Sequence, residues 1–220
     1  MAGAAHGSEE KVNHPFFARM YLRMASSRKS LGEDEYRRKL LAGLSGSAIE
    51  VGAGSGRNFP FYPATVDWVL AVEPEPLLRA AAVKNASEAP VKVEVVDGVS
   101  GSLPAGDEAF DAGVASLVLC SVGEQQRALA EFRRVIRPGG ELRFYEHVLA
   151  HRTAAASLQR LADVTFWPRV AGGCHLSRDT GAGIERAGFT IERLERFSFT
   201  PGPPAPPIPH ILGAAMRQEF

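Results

Sequence analysis

Residues 48 to 58 read Ala48-Ile49-Glu50-Val51-Gly52-Ala53-Gly54-Ser55-Gly56-Arg57-Asn58. A short apolar run ends in an acid, three glycines follow at alternate positions, and a helix can begin after them. Glycine is needed where the backbone turns with positive φ or comes close to a ligand, because a Cβ would collide there. A strand, a glycine turn and a helix in this order place free N–H groups where open α/β sheets bind ligands. The stretch therefore predicts an α/β fold with a ligand site at this turn.

The spacing of the glycines narrows the choice of ligand. The dinucleotide fingerprint has glycine at its first, third and sixth positions. Counted from Gly52, the sixth position is Arg57, and the third glycine comes one place earlier, at Gly56. The pattern Glu-x-Gly-x-Gly-x-Gly looks like the first motif of class I S-adenosylmethionine (SAM) methyltransferases. The alternative is a glycine turn that binds no ligand.

The composition limits the classes of protein. The 220 residues fit one α/β domain, and 25 basic residues balance 25 acidic ones. The two signs are interspersed, so a nucleic-acid partner is disfavoured. No segment reaches the ~20 apolar residues of a membrane helix, and no signal peptide is evident. Cys120 and Cys174 form neither a metal-type pair with a near neighbour nor a disulfide scaffold. We therefore expect a soluble cytoplasmic protein without a metal.

The chain before the glycine loop divides into a tail and two helices. Residues 1–12 are small and polar, which predicts a disordered tail, and residues 13–220 form one domain. Apolar side chains recur at helical spacing over 14–24 and 33–44. We expect these helices, within residues 13–44, to cap the ligand pocket.

The chain after the loop alternates between strands and helices. Short apolar runs predict strands at 66–72, 91–96, 110–115 and 141–147. Amphipathic stretches predict helices at 77–84 and 124–137, and the Arg-Pro-Gly-Gly turn at 137–140 ends the second of them. This alternation indicates a parallel sheet with helices on both faces.

The C-terminal part predicts a hairpin. A helix is expected over 150–167, broken at Pro168, and another over 178–187 with Ser177 as its cap. Strands at 189–199 and 211–216 follow each other directly, so they must be antiparallel neighbours. The predicted fold is a Rossmann-like, seven-stranded, mostly parallel sheet with a C-terminal antiparallel hairpin.

Two acids follow predicted strands. Glu73 lies 17 positions beyond Gly56, close to the ~20 at which an acid reaches ribose hydroxyls from the adjacent strand. Glu75 is the better candidate for capping the next helix. Asp97 with Gly98 follows the third strand, where an acid commonly meets adenine, although Asp-Gly is also an ordinary turn.

Several segments together resemble one family. The glycine loop, Glu73, Asp97 and the Arg-Pro-Gly-Gly turn follow each other as in class I methyltransferases that act on small molecules. Further segments resemble the methyltransferase-like family that includes animal alkyl-thiol methyltransferases: Asn58-Phe59, Phe61-Tyr62-Pro63, Leu117-Val118-Leu119-Cys120-Ser121-Val122, Glu146-His147-Val148 and Gly173-Cys174. Those animal enzymes begin with an apolar anchor that has no counterpart in this sequence, so the resemblance implies no membrane location.

The resemblance implies SAM as cofactor and a set of residues that bind it. Glu50 and the loop glycines would hold the methionyl end, Glu73 the ribose and Asp97 the adenine. The end of strand four would flank the sulfonium. The predicted cofactor-binding residues are Glu50, Gly52, Ala53, Gly54, Gly56, Asn58, Glu73, Pro74, Asp97, Gly98, Ser116 and Leu117.

The acceptor implied by the resemblance is a small apolar thiol. Relatives that methylate the oxygen or nitrogen of quinols, phenols, amines or lipid head groups share the same sheet, so these acceptors stay open. A SAM-binding protein without transferase activity would carry the same motifs. A nicotinamide oxidoreductase is disfavoured by Arg57 and by the terminal hairpin.

His147 is the predicted catalytic residue, as the base that deprotonates the acceptor. It ends strand five, and a neutral imidazole of pKa ~6.5 can accept a proton from a thiol of pKa ~8.5 near neutral pH. The alternative is a histidine that hydrogen-bonds a neighbouring loop, with His175 as the next candidate. Cys120 is expected to be a packing cysteine, and Trp167 is either a wall of the acceptor pocket or core.

Overall fold

The structure is a computed structural model that describes residues 14–27, 32–150, 153–200 and 207–219. Its strands are β1 (Gly46–Val51), β2 (Val66–Val72), β3 (Lys92–Val96), β4 (Phe110–Ser116), β5 (Ile136–His147), β6 (Phe189–Phe199) and β7 (Ile208–Arg217). Its α-helices are α1 (Pro15–Ser27), α2 (Glu33–Leu41), α3 (Pro76–Ala86), α4 (Gln125–Val135), α5 (Thr153–Thr165), α6 (Trp167–Val170) and α7 (Thr180–Arg186). A short 3-10 helix covers Phe59–Phe61.

The strands form one sheet in the order β3-β2-β1-β4-β5-β7-β6. β1 pairs in parallel with β2 and β4, and the same direction continues to β3 and β5. β7 lies antiparallel between β5 and β6. The predicted parallel sheet with a C-terminal antiparallel hairpin is confirmed. The strand order reverses between β1 and β4, which opens a crevice at the carboxyl ends of these strands.

Apolar side chains are buried on both faces of the sheet. Ile49 of β1 belongs to one core cluster, where it is joined by Phe132 of α4 and Phe144 of β5. Ala48 belongs to the other cluster, which also contains Tyr145. Burial on both faces explains why the inner strands read as nearly continuous apolar runs.

Several element boundaries and one helix cap differ from prediction. β5 begins at Ile136 rather than Glu141, because Ile136 already pairs with Phe110 before a register shift. α2 ends at Leu41, short of residue 44. The break after α5 falls before Pro168, which lies in the first turn of α6 where a missing N–H costs nothing. The cap of α7 is Asp179, which accepts the N–H of Ala182 at 3.2 Å, and not Ser177.

The predicted tail at 1–12 lies outside the described residues. None of the helices in the described ranges combines the length and the apolar character needed to cross a bilayer.

Candidate active site

The glycine loop follows β1 and opens towards α1. All three glycines have positive φ: 69° at Gly52, 59° at Gly54 and 78° at Gly56. At Gly52 a Cβ would lie 2.4 Å from Cγ2 of Val118, so this position excludes any side chain. At Gly54 the nearest atom to such a Cβ is the hydroxyl oxygen of Tyr21, at 3.4 Å. Gly54 therefore needs glycine for its backbone conformation, and a side chain at this position would meet Tyr21 of α1.

The end of β2 holds the loop in place. The N–H groups of Gly52 and Ala53 donate to the carbonyl of Val72 at 2.8 and 3.1 Å. Glu73, the residue after β2, extends towards the glycine loop, and its carboxylate accepts a hydrogen bond from the N–H of Gly54 at 2.7 Å. Burial raises the pKa of Glu73 and outweighs the hydrogen bonds that it accepts from backbone N–H groups.

The neighbouring acids take different positions. Glu75 caps α3 by accepting the N–H of Leu78 at 2.9 Å, as predicted. Asp97 stays exposed after β3 and pairs with Arg79 at 2.9 Å. Arg79 also donates to the carbonyls of Glu73 and Pro74, so it ties the ends of β2 and β3 together.

Gly98 is required by packing, because a Cβ there would lie 2.9 Å from a methyl group of Val72. Asp97 thus precedes a glycine whose backbone packs closely against the side chains of Val72 and Pro104.

Glu50 lies at the centre of a buried polar network. Its carboxylate accepts hydrogen bonds from Nδ2 of Asn58 at 2.9 Å and from the hydroxyl of Tyr62 at 2.7 Å. Burial raises the pKa of Glu50 to about 7, although both hydrogen bonds and the nearby Arg37 lower it. The sequence singled out Glu50 and Asn58 but not the tyrosine.

Arg37 of α2 brings a positive charge into this network. It donates to Oδ1 of Asn58 at 2.7 Å and to Oγ of Ser116 at 3.2 Å. The side chain is buried, and its Nε has no hydrogen-bond partner among the described residues. A buried guanidinium with an unused N–H is suited to binding an anion. The glycine motif could not predict this role, because Arg37 lies in a helix that precedes the loop.

The chain bends sharply after β4. Leu117 has a φ of 59°, a left-handed conformation that costs a non-glycine residue ~1–2 kcal/mol. The bend is held by Glu146, whose carboxylate is fully buried and accepts three successive backbone N–H groups. The distances are 3.1 Å to Val118, 2.9 Å to Leu119 and 3.0 Å to Cys120. Ser116 and Leu117 thus lie at the end of β4, the strand that pairs with β1. The sequence did not single out Glu146.

His147 ends β5 in contact with both cysteines. Its Nδ1 lies 3.5 Å from Sγ of Cys120 and 3.2 Å from Sγ of Cys174, and the two sulfurs are 3.7 Å apart. The contact between the thiols, together with burial, raises the pKa of Cys120 to about 12, while the same contact lowers the pKa of Cys174. Burial lowers the pKa of His147, but the contacts with Cys120 and the charge of Glu146 raise it overall.

This group of three residues is called the Cys-His-Cys cluster below. Cys120 is fully buried, as expected, but its partners are polar as well as apolar. His175 is not part of the cluster, since its Nδ1 lies nearest Asp163, at 3.9 Å. The sequence did not join the cysteines because 54 residues separate them and only the fold brings them together.

α1 touches both the glycine loop and the turn before Cys174. The Tyr21 hydroxyl lies next to Gly54, and the Tyr21 and Phe17 rings are 6.1 Å apart. A Cβ at Gly172 would lie 2.5 Å from the ring of Phe17. One helix therefore bridges the loop that would hold a cofactor and the segment that carries the cluster.

The comparisons with known proteins agree with this geometry. Residues 49–144 match the family described as a methyltransferase domain. The chain is 36% identical over 217 residues to thiol S-methyltransferase TMT1B of Mus musculus, covering 94% of this chain and 87% of that protein. It is 35% identical to thiol S-methyltransferase TMT1A of Homo sapiens, covering 80% of this chain and 73% of that protein.

A SAM-dependent methyltransferase from Thermotoga maritima has the same fold. It superposes with a TM-score of 0.69 at 19% identity, covering 92% of this chain and 97% of that chain. The fold, the glycine loop and the relatives agree, and SAM is the methyl donor. The chain is a SAM-dependent methyltransferase of the class I fold, and it belongs to the family of the thiol S-methyltransferases TMT1A and TMT1B.

Proposed function

We propose that this enzyme transfers the methyl group of SAM to the sulfur of a small apolar thiol. The observation that carries the proposal is the 36% identity to a thiol S-methyltransferase over 94% of the chain. The surroundings support it, because the two cysteines of the Cys-His-Cys cluster pack with the buried Leu176 and with the partly buried Trp167 and Ile208. An apolar acceptor fits such walls better than a charged one.

The polar network at the end of β1 is suited to the amino-acid end of SAM. Glu50 would face the ammonium group, and the unused Nε–H of Arg37 would donate to the carboxylate. Asn58 bridges the two side chains and keeps them apart. Both charges of the methionyl group thus meet a buried partner of the opposite sign.

The ends of β2 and β3 are suited to the adenosine. Glu73 would accept the ribose hydroxyls, and its bond to Gly54 N–H aims it at the loop. Asp97 is exposed and pairs with Arg79, which also donates to the carbonyl of Pro74. Its carboxylate would accept a hydrogen bond from the adenine amino group, next to Gly98. Ala53 and the loop glycines would bring their backbone close to the cofactor, while their N–H groups stay bonded within the protein. We propose that α1 and α2 cap the bound molecule.

Methyl transfer from a sulfonium is an in-line displacement. The acceptor sulfur must lie ~3 Å from the methyl carbon, opposite the leaving sulfur, with water kept out. The strained bend at Ser116 and Leu117 would flank the sulfonium, and α1 would close over it. We keep His147 as the residue that acts on the acceptor's proton. Its Nδ1 contacts the sulfurs of Cys120 and Cys174, and a histidine that only orders these two cysteines is the alternative.

The test is an acceptor screen with labelled SAM. It compares alkanethiols with alkanols and alkylamines of the same chain length, and adds phenols and a quinol. We expect the highest turnover with hydrophobic thiols. Preferential methylation of an amine, a phenol or a quinol would contradict the proposed acceptor and leave the cofactor assignment intact.

A further inference from the structure

The ligand atoms of the Cys-His-Cys cluster are spaced as in a metal site. The sides of the triangle are 3.7 Å between the sulfurs, and 3.5 and 3.2 Å from the sulfurs to Nδ1 of His147. Tetrahedral zinc with Zn–S ~2.3 Å and Zn–N ~2.0 Å places two sulfur ligands ~3.8 Å apart, and sulfur and nitrogen ~3.5 Å apart. The three distances therefore lie within ~0.3 Å of the edges of a zinc tetrahedron.

Both cysteine segments are held by buried carboxylates that lie outside the triangle. Glu146 accepts the N–H of Cys120 at 3.0 Å. Asp163 of α5 accepts the N–H of Leu176, two residues after Cys174, at 2.8 Å. The N–H of His175 donates to the carbonyl of Cys120 at 2.8 Å and joins the two segments. The triangle is thus positioned by the backbone and does not depend on contacts between the sulfurs.

Both cysteines of the cluster are buried and His147 is partly buried, so a net charge on the cluster would be costly. Cys120 is fully buried and Cys174 is 4% exposed. Two thiolates and a neutral imidazole around a divalent cation carry no net charge, so burial costs such a centre little. A disulfide would require the sulfurs to approach from 3.7 Å to ~2.05 Å, and it would leave the histidine without a role.

We propose that Cys120, His147 and Cys174 bind a thiophilic divalent cation of the zinc class, and that its fourth position takes the acceptor thiolate. The second part rests on the proposed function. Three protein ligands with one open position are typical of catalytic zinc. This assignment replaces two expectations from sequence: that no metal is used, and that His147 accepts the acceptor's proton, since its Nδ1 would ligate the metal instead.

The metal would act on the acceptor before the methyl group moves. A thiol that binds as the fourth ligand releases its proton to solvent and stays at the centre as a thiolate. A lone pair of that sulfur forms the new bond to the methyl carbon, while the bond from the methyl carbon to the sulfonium breaks. The electrons of the broken bond stay on S-adenosylhomocysteine, and the neutral thioether is a weak ligand that can leave.

The position of the cluster suits this step. Cys120 follows the bend at Leu117, and His147 follows Tyr145, which pairs with Ser116. The cluster therefore lies at the carboxyl ends of β4 and β5, and β4 is the neighbour of β1, whose loop would hold the sulfonium.

The experiment is a titration of the full-length, reduced protein with Co²⁺, which reports thiolate ligands through sulfur-to-metal charge-transfer absorption. We expect one equivalent to bind with these bands and with the visible bands of tetrahedral cobalt, and Zn²⁺ to displace it. In Cys120→Ser and Cys174→Ser the affinity should fall at least ~100-fold. His175→Asn is the matched control and should behave as the wild type. Absence of the bands in the wild type, or unchanged bands in both serine variants, would overturn the metal site.

The fourth position is tested on the cobalt-loaded protein with an alkanethiol and the alkanol of the same length. We expect the thiol alone to shift the visible bands. If cobalt binds at the cluster but its visible bands do not change when the thiol is added, the acceptor thiolate is not the fourth ligand. If cobalt binds at the cluster with the expected bands but the acceptor screen shows no thiol methylation, the proposed function is wrong and the metal site stands.

Discussion

The carboxylate of Glu73 accepts the backbone N–H of Gly54, with 2.7 Å between the two atoms. This bond connects the end of β2 to the middle of the glycine loop after β1. Glu73→Gln removes the charge that strengthens this bond and the proposed bonds to the ribose. A charged hydrogen bond contributes ~1.5–3 kcal/mol, so we expect the Kd for SAM to rise ~10–100-fold. Calorimetry measures it, with Glu75→Ala as control, which should lower stability and leave affinity unchanged.

Gly54→Val should abolish SAM binding, because the branched side chain would occupy the region between the loop and Tyr21, where we propose that the cofactor lies. The matched control is Gly43→Val. Gly43 also has a positive φ, 77°, and no described atom lies within 4 Å of the position that a Cβ would take there. Both variants should lose ~1–2 kcal/mol of stability from backbone strain. Equal SAM affinities in the two folded variants would remove the glycine loop from the cofactor site.

Arg37→Lys tests the side chain that the sequence did not single out. Lysine keeps the positive charge but lacks the planar, bidentate N–H groups of the guanidinium, so it binds a carboxylate less tightly. We expect at least ~10-fold weaker binding of S-adenosylhomocysteine. The affinity for 5′-methylthioadenosine, which lacks the amino-acid end, should stay at the wild-type level. An equal loss for both ligands would make Arg37 a structural residue.

Glu50→Gln should change how stability depends on pH. The pKa of Glu50 is raised to about 7 in the folded protein, so folding favours its protonated form. The wild type therefore loses stability as pH rises from ~4.5 to about 7, by an amount on the order of 3 kcal/mol. Glutamine has no proton to lose. The Tm of the variant minus the Tm of the wild type should therefore be larger at pH 8 than at pH 5. If this difference is the same at both pH values, burial does not raise the pKa of Glu50 as described.

The fold could be predicted from sequence because its strands are short apolar runs buried on both faces. β2 and β6 have the predicted boundaries, Val66–Val72 and Phe189–Phe199. The errors lie where a local signal competes with pairing. Pro138 and Gly139 suggest a turn, yet pairing of Ile136 with Phe110 starts β5 before them.

The site was predictable where a residue follows a strand directly. Glu73 lies at the loop for this reason. Arg37 comes from a helix far upstream, and the network that it completes exists only once α2 packs on the sheet. Cys120 and Cys174 are 54 positions apart in the sequence, and no local spacing predicts that they are in contact. Glu146 follows the pattern of an ordinary strand residue, and its role depends on the bend after β4.

The most direct measurement follows the methyl group itself. The enzyme is incubated with SAM that carries a deuterated methyl group and with an equimolar mixture of an alkanethiol and the alkanol of the same length, and products are read by mass spectrometry. The proposed function predicts a thioether with the deuterated methyl on sulfur, an equal amount of S-adenosylhomocysteine, and no methylated alkanol. Deuterated methyl on the alkanol oxygen, or no thioether from an enzyme shown to bind SAM, would contradict it.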